Sequence, residues 1–185
     1  IVFGDWSSDV CSSDLSGKTS SLNTALFYKM NSNLSIKLLS KYNPQYHAGG
    51  PEGLIDGIRG NTNWRLGGWQ GFQDTDFEAI LDLGLVKTCK FAGASFLQDA
   101  KSWIWMPKEL EISVSNDTSS FILLANITHS IADTSMVSTI NNLTIEKSFT
   151  ARYIRFKAKN FGTIPEWHPG KGSKAFIFID ELWVE

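Results

Sequence analysis

The stretch GLIDGIRGNTNWRLGGWQGFQDTDFEAILDLG, residues 53–84, places a glycine-rich loop directly before a segment with strand periodicity. Asp56-Gly57 opens the loop, whose glycines adopt backbone turns that other residues resist. In residues 77–83 every second residue is apolar, which is the pattern of a strand with one buried face. The stretch therefore predicts a β-sheet preceded by a loop whose oxygen atoms suit an ion-binding turn.

Strand periodicity recurs along the rest of the chain. In residues 108–115, Leu110, Ile112 and Val114 face one way and polar side chains the other, so one face is buried. Phe176-Ile-Phe-Ile is apolar on both faces, as in a strand between two layers. The sequence offers no convincing amphipathic helix. It predicts eight strands in an all-β jelly-roll sandwich, at residues 36–40, 77–83, 88–96, 109–115, 121–127, 143–149, 152–158 and 175–184.

Composition restricts the class of protein. The 185 residues are 42% hydrophobic and 12% aromatic, which is enough for one domain with a sizeable core. The net charge is -2, and the densest basic run, residues 152–159, alternates with apolar residues, so nucleic acid is not a predicted partner. No run approaches about 18 apolar residues, so no membrane span is predicted.

The first fifteen residues differ from the remainder. Residues 5–15, DWSSDVCSSDL, match the translation of a sequencing-adapter oligonucleotide. We interpret residues 1–15 as non-native, which implies that the true N-terminus is missing; a genuine Ser/Asp-rich linker is the alternative. Residues 16–29 are then a linker or the end of a preceding domain, and the folded domain spans residues 30–185.

Excluding that segment changes the charge and the cysteine count. It removes three aspartates, so that 17 basic residues face 16 acidic ones and the net charge becomes +1. It also removes Cys11 and leaves Cys89 alone, which predicts no intrachain disulfide.

Five motifs in a fixed order resemble the coagulation factor V/VIII type C, or discoidin, domain. That family is an eight-stranded, galactose-binding-like jelly roll that includes family 32 carbohydrate-binding modules. Thr118 replaces the glycine of the family's hairpin. The motifs are Leu54-Ile-Asp-Gly with Thr62-Asn-Trp, Ala79-Ile-Leu-Asp-Leu-Gly, Val114-Ser-Asn-Asp, Ala151-Arg-Tyr-Ile-Arg-Phe and Ile179-Asp-Glu-Leu-Trp-Val.

Longer pieces are similar to the C-terminal domain of bacterial family 20 glycoside hydrolases, the β-N-acetylhexosaminidases. They are Tyr42-Asn-Pro-Gln-Tyr-His-Ala-Gly-Gly, Gly68-Trp-Gln-Gly-Phe, Phe96-Leu-Gln-Asp with Ser102-Trp-Ile, and Pro165-Glu-Trp-His-Pro-Gly-Lys-Gly. This resemblance implies a secreted or periplasmic parent enzyme that acts on terminal N-acetylhexosamines, with its catalytic barrel outside this chain.

The discoidin resemblance also implies a structural calcium ion. Ca²⁺ takes carboxylate and backbone carbonyl oxygens, which this loop can supply. The implied carboxylates belong to Asp56 and Glu181, and Thr62 would give its carbonyl and hydroxyl. The spacing from Asp56 to Thr62 is one residue longer than is common in the family, which leaves the middle carbonyl open between Arg59 and Gly60. An Asp-capped turn without metal is the alternative. The implied ligand set is Gly53, Asp56, Gly60, Thr62, Asp180 and Glu181.

Aromatic and polar residues in the loops suit carbohydrate recognition, in which a ring packs on a pyranose and polar groups bind its hydroxyls. For Trp69, Trp103 and Trp167 a structural role in packing is an equal alternative, and a lone loop histidine such as His168 is more often structural. The predicted ligand-binding residues are Arg65, Trp69, Gln98, Asp99, Trp103, Trp167 and His168.

The sequence does not indicate an independent enzyme, because its three histidines are dispersed and neither a GxSxG elbow nor a phosphate loop occurs. We expect a non-catalytic accessory module that binds carbohydrate weakly. Two alternatives stay open. The module could instead pack on the parent's catalytic domain as a structural element, or act in protein or lipid adhesion.

Overall fold

The computed structural model describes residues 33–185, so the segment interpreted as non-native, 1–15, and the linker, 16–29, lie outside the described part of the chain. The described residues contain three short 3-10 turns, Pro51–Leu54, Trp64–Leu66 and Ala100–Ser102. The strands are β1 (Ser35–Leu38), β2 (Gln70–Gln73), β3 (Phe77–Gln98), β4 (Leu110–Ser115), β5 (Ile122–Ile127), β6 (Thr139–Ala158) and β7 (Phe176–Val184).

All strand pairs are antiparallel, in the order β2-β7-β3-β6-β4-β5, with β1 added to β3. The two longest strands, β3 and β6, serve both layers. The first part of β3 pairs with β1 and with the end of β6, which pairs in turn with β4. The last part of β3 pairs with β7 and with the start of β6. The result is an antiparallel β-sandwich, which confirms the predicted fold class.

Two pairs of predicted strands are single strands in the structure. The predicted strands at 77–83 and 88–96 are joined in β3, and those at 143–149 and 152–158 are joined in β6. The pairing of β3 with β6 shifts register between Asp82 and Lys87 and again between Cys89 and Phe91, as a bulged strand does. These irregularities let each strand bend from one layer to the other without ending.

Strand β2 was not predicted, and seven strands rather than eight are present in residues 33–185. Its sequence, Gln-Gly-Phe-Gln, has a single apolar side chain, yet its first three residues are buried and the strand pairs with β7. Gly71 lets β2 lie close to the Phe178 ring, because a Cβ at Gly71 would lie 2.6 Å from a carbon of that ring.

The space between the layers holds one large apolar core. Its largest side chains include Phe72, Phe77, Phe96 and Phe156, each with no exposed surface. Cys89 belongs to this core and is free, and burial raises the pKa of its thiol. No helix in residues 33–185 is long and apolar enough to cross a bilayer.

Candidate functional site

The glycine-rich loop before β2 is attached to β7 through the buried carboxylate of Asp180. Its Oδ2 accepts hydrogen bonds from the backbone N–H of Gly60 at 2.7 Å and from Nε of Arg59 at 3.1 Å. Its Oδ1 is buried with no hydrogen-bond partner. A buried carboxylate oxygen without a donor is costly, so the loop carries an unmet requirement for a cation or a donor at this point.

Glu181 follows Asp180 on β7 and is 3% exposed. Both of its carboxylate oxygens face the backbone N–H of Gly57, at 3.2 and 3.3 Å. Burial raises the pKa of Glu181 to about 8; the Gly57 hydrogen bond opposes the increase, whereas the carboxylates of Asp56 and Asp180 add to it. The carboxylates of Asp56 and Asp180 therefore act on Glu181 and disfavour its ionised form.

The remaining implied calcium ligands fit this cluster unequally. Gly53 is buried, and a Cβ added there would overlap the carbonyl oxygen of Ala48 and approach Asp56 Oδ2 at 3.9 Å, so only glycine suits this turn. Thr62 is exposed, and its hydroxyl contacts Asn61 Oδ1 at 3.4 Å rather than the acidic cluster. Within residues 33–185 no three His, Cys, Asp or Glu side chains converge as metal ligands. A bound calcium ion would thus require backbone carbonyls in addition to Asp56 and Glu181.

Arg59 joins the loop to three neighbouring strands, β3, β6 and β7, a role that sequence reasoning missed. Its guanidinium carbon lies 4.4 Å from the centroid of the Trp183 ring. Its NH2 donates to Ser95 Oγ at 2.9 Å and to Asn142 Oδ1 at 3.1 Å, while Nε binds Asp180. The charge of Asp180 is thereby partly compensated within the chain, whereas Glu181 has no such arginine bond.

Four of the seven predicted ligand-binding residues are buried in the structure: Trp69, Gln98, Asp99 and His168. Each of the four makes at least one hydrogen bond inside the domain, although Gln98 Oε1 is buried without a partner. Trp69 donates to the carbonyl of Asn61 at 2.9 Å and is 2% exposed. Gln98 donates to the carbonyl of Ala132 at 2.9 Å. Asp99 accepts from Trp64 and Ser102, and His168 Nδ1 accepts from the N–H of Gly170.

The indoles of Trp103 and Trp167 are exposed, to 37% and 44%. Trp103 follows the 3-10 turn Ala100–Ser102 and has φ 67° and ψ 22°, a left-handed conformation that is uncommon for a bulky residue. Its ring packs on Gly170, where a Cβ would lie 2.6 Å from the indole nitrogen. Trp167 lies in the same loop as Gly170, three residues before it. We call these two indoles and their loops the Trp103–Trp167 surface.

Arg65, the third exposed candidate, lines a separate cavity of about 270 Å³. Its guanidinium carbon lies 4.2 Å from the centroid of the Trp64 ring. Trp64 in turn packs edge-on against Tyr46 and Phe178 and donates to Asp99 Oδ2 at 3.2 Å. We call this cavity the Arg65 pocket; its lining residues are Gln45, Tyr46, His47, Ala48, Trp64, Arg65, Gly67, Gly68 and Trp69. His47 also lines the pocket, a role that the sequence pattern did not indicate, although His47 stands in the motif that begins at Tyr42.

The β-sandwich and its loop sites define a module of the galactose-binding-like class. Residues 35–176 match the F5/8 type C domain family. The chain belongs to this family, as its motifs suggested. Among curated proteins no match was found.

Solved structures share the fold at low sequence identity. A family 32 module of a family 89 glycoside hydrolase from Clostridium perfringens, in complex with GalNAc-β-1,3-galactose, is 16% identical, with a TM-score of 0.53 over 82% of this chain and 94% of that one. The family 32 module of AlyQ, in complex with 4,5-unsaturated mannuronic acid, is 16% identical, with a TM-score of 0.51 over 85% and 98%. A Ruminococcus gnavus family 29 fucosidase matches over 82% of this chain but only 25% of its own length, with 16% identity and a TM-score of 0.52.

Proposed function

We propose that this domain is a non-catalytic accessory module that binds carbohydrate weakly and holds a secreted bacterial glycoside hydrolase near its substrate. The observation that carries the proposal is the Trp103–Trp167 surface, where two indoles stay exposed on adjoining loops. Exposed indoles offer flat apolar area at low entropy cost, which suits the apolar face of a pyranose.

The strained backbone of Trp103 supports this role. A non-glycine residue at φ 67° costs free energy that the surrounding contacts must offset, and such strain is concentrated at functional positions. Here the left-handed backbone places the Trp103 ring on Gly170, while part of the ring stays exposed to solvent. A position needed only for packing would not require a half-exposed indole.

The parent is proposed to be a β-N-acetylhexosaminidase of family 20, on the resemblance of the four longer sequence pieces. Two solved structures support an accessory role beside a hydrolase domain. One is the family 89 module with bound GalNAc-β-1,3-galactose, and the other is the fucosidase, of which this fold covers a quarter. A structural calcium ion is part of the proposal. It would be held by Asp56 and Glu181 with loop carbonyls and would join the loop to the last strand.

A glycan array probed with the 185-residue chain in the presence of Ca²⁺ tests the proposal. We expect weak binding, and Trp103→Ala and Trp167→Ala should each lower the affinity for a bound glycan by about tenfold, or about 1.4 kcal/mol. Ile122→Ala is the matched control, since Ile122 is 73% exposed on β5 and should leave binding unchanged. Absence of signal for every glycan would contradict sugar binding.

The same two indoles could contact the parent's catalytic domain, because interfaces also favour tryptophan. In that case the Trp103→Ala and Trp167→Ala substitutions in the parent enzyme would lower its thermal stability and leave glycan binding unchanged. The array and the melting curve together therefore distinguish a binding module from a structural one.

A further inference from the structure

We propose that the Arg65 pocket binds the anionic group of an acidic saccharide, a carboxylate or a sulfate, so that the domain prefers acidic to neutral sugars. This inference rests on the proposed carbohydrate-binding function. It assigns a ligand chemistry to a cavity separate from the Trp103–Trp167 surface.

Arg65 differs from the other arginines in residues 33–185 because it forms no ion pair. Arg59, Arg152 and Arg155 each lie within 4.0 Å of a carboxylate. Arg65 is exposed, and its side chain is held instead by the Trp64 ring at 4.2 Å. The stack restricts the guanidinium to one region while its N–H groups stay available, and this lowers the entropy cost of pairing with an anion.

The charges around the pocket favour an anion. Neither Asp nor Glu occurs among the residues that line it, whereas Arg65 and the exposed His47 both supply N–H donors. The acidic residue that touches Trp64 is Asp99, which is 6% exposed and accepts hydrogen bonds from Trp64 and from Ser102 at 2.8 Å. The guanidinium of Arg65 is therefore the strongest uncompensated charge lining the cavity.

The shape of the pocket favours ionic recognition over ring stacking. Trp64 is covered by Arg65 and packed against Tyr46, and Trp69 is 2% exposed, so neither indole presents an open face. A cavity of about 270 Å³ is at the small end of ligand sites and suits a single sugar ring. Arginine binds a planar carboxylate or a sulfate through two parallel hydrogen bonds, which no hydroxyl can accept as strongly.

Isothermal titration of the 185-residue chain with three probes tests the inference: digalacturonic acid, a sulfated galactobiose and neutral galactobiose. We expect at least one acidic probe to bind about tenfold more tightly than the neutral probe, with an affinity that falls as salt is added. Arg65→Gln should abolish this preference, and Arg65→Lys should keep part of it because the charge remains without the planar fork. The comparison of the two acidic probes distinguishes carboxylate from sulfate.

Arg155→Gln is the control, because it removes the same charge from β6 at a residue that does not line the pocket. Melting temperatures of the two Arg65 variants should match the native chain, since Arg65 is exposed and forms no ion pair. Equal binding of acidic and neutral probes, or a preference that persists in Arg65→Gln, would overturn the inference and leave the proposed function standing. Failure of all three probes to bind, together with an empty glycan array, would overturn both.

Discussion

The Asp180 carboxylate accepts a 2.7 Å hydrogen bond from the backbone N–H of Gly60, a residue 120 positions earlier in the chain. Strand β7 thus fixes the loop that starts at Gly53, and Arg59 adds a second bond to the same oxygen at 3.1 Å. The loop and the last strand form one structural unit, so changes on β7 should be felt in the loop.

Removing the Asp180 carboxylate should destabilise the domain strongly. Asp180→Ala leaves the Gly60 N–H without its acceptor and Arg59 without its ion pair, and we expect a loss of about 2–4 kcal/mol in the free energy of unfolding. Urea unfolding measures it. Glu166→Ala is the control, since Glu166 is 88% exposed in its ion pair with Lys171 and should change stability by less than about 0.5 kcal/mol. Equal losses in the two variants would contradict the structural role of Asp180.

The stability of the metal-free domain should fall as pH rises. The folded-state pKa of Glu181 is about 8, above its usual value of 4.5, so the folded protein holds this proton more tightly than the unfolded chain. The stabilising contribution is complete below about pH 4.5 and is lost as pH rises through about 8. Urea unfolding in EGTA across this range measures the slope. Glu181→Gln should flatten it, and an unchanged slope in that variant would refute the assignment to Glu181.

Calcium should stabilise the native chain at neutral pH. An ion bound by Asp56 and Glu181 favours the ionised form of Glu181 and adds about 2.7 kcal/mol at a concentration one hundred times its dissociation constant. Thermal unfolding with and without Ca²⁺ measures this gain. Asp56→Asn and Glu181→Gln should lose it, whereas Glu166→Gln should keep it. An identical response of all three variants would argue against a site at this loop.

Local sequence pattern was sufficient for the layers of the fold but not for the path of the two longest strands. The pattern of strand-like runs between turn signals located β4 and β5 to within a residue. It placed a break at Gly84, where φ is 79° and the N–H binds Asp82 Oδ1. Strand β3 nevertheless stays paired with β6 beyond that turn. Local periodicity does not show which distant segments pair with each other.

The candidate sites show the same limit. Residue type identified tryptophans in loops, but burial depends on what packs against each ring. Trp69 covers Gly60 and is 2% exposed, whereas Trp103 packs one edge on Gly170 and stays 37% exposed. Residue type and glycine spacing could not reveal these contacts, because they depend on how the loops fold against each other.

Gly53→Ala should be among the most damaging single substitutions in the loop. A Cβ at Gly53 would overlap the carbonyl oxygen of Ala48, which is backbone and cannot rotate away, so we expect a loss of more than about 2 kcal/mol. Gly67→Ala is the comparison. Its Cβ would meet no atom within 4 Å, so the only loss in stability comes from the φ of 89° and is about 1 kcal/mol. Similar losses in the two variants, measured by urea unfolding, would show that the Ala48 contact is relieved by loop movement.

Thr118→Gly should stabilise the domain, because Thr118 adopts φ 66° at the hairpin where the family has glycine. A β-branched residue in the left-handed region costs about 1–2 kcal/mol, and glycine would remove this cost. Glycine also raises the conformational entropy of the unfolded chain, which offsets part of the stabilisation. We expect a net increase of about 0.5–1 kcal/mol. The backbone N–H of residue 118 would keep its bond to Ser115 Oγ at 3.1 Å, so the turn itself should not change. Thr134→Gly is the control at an exposed turn without positive φ, and it should lose stability; a gain in both variants would exclude strain at Thr118 as the cause.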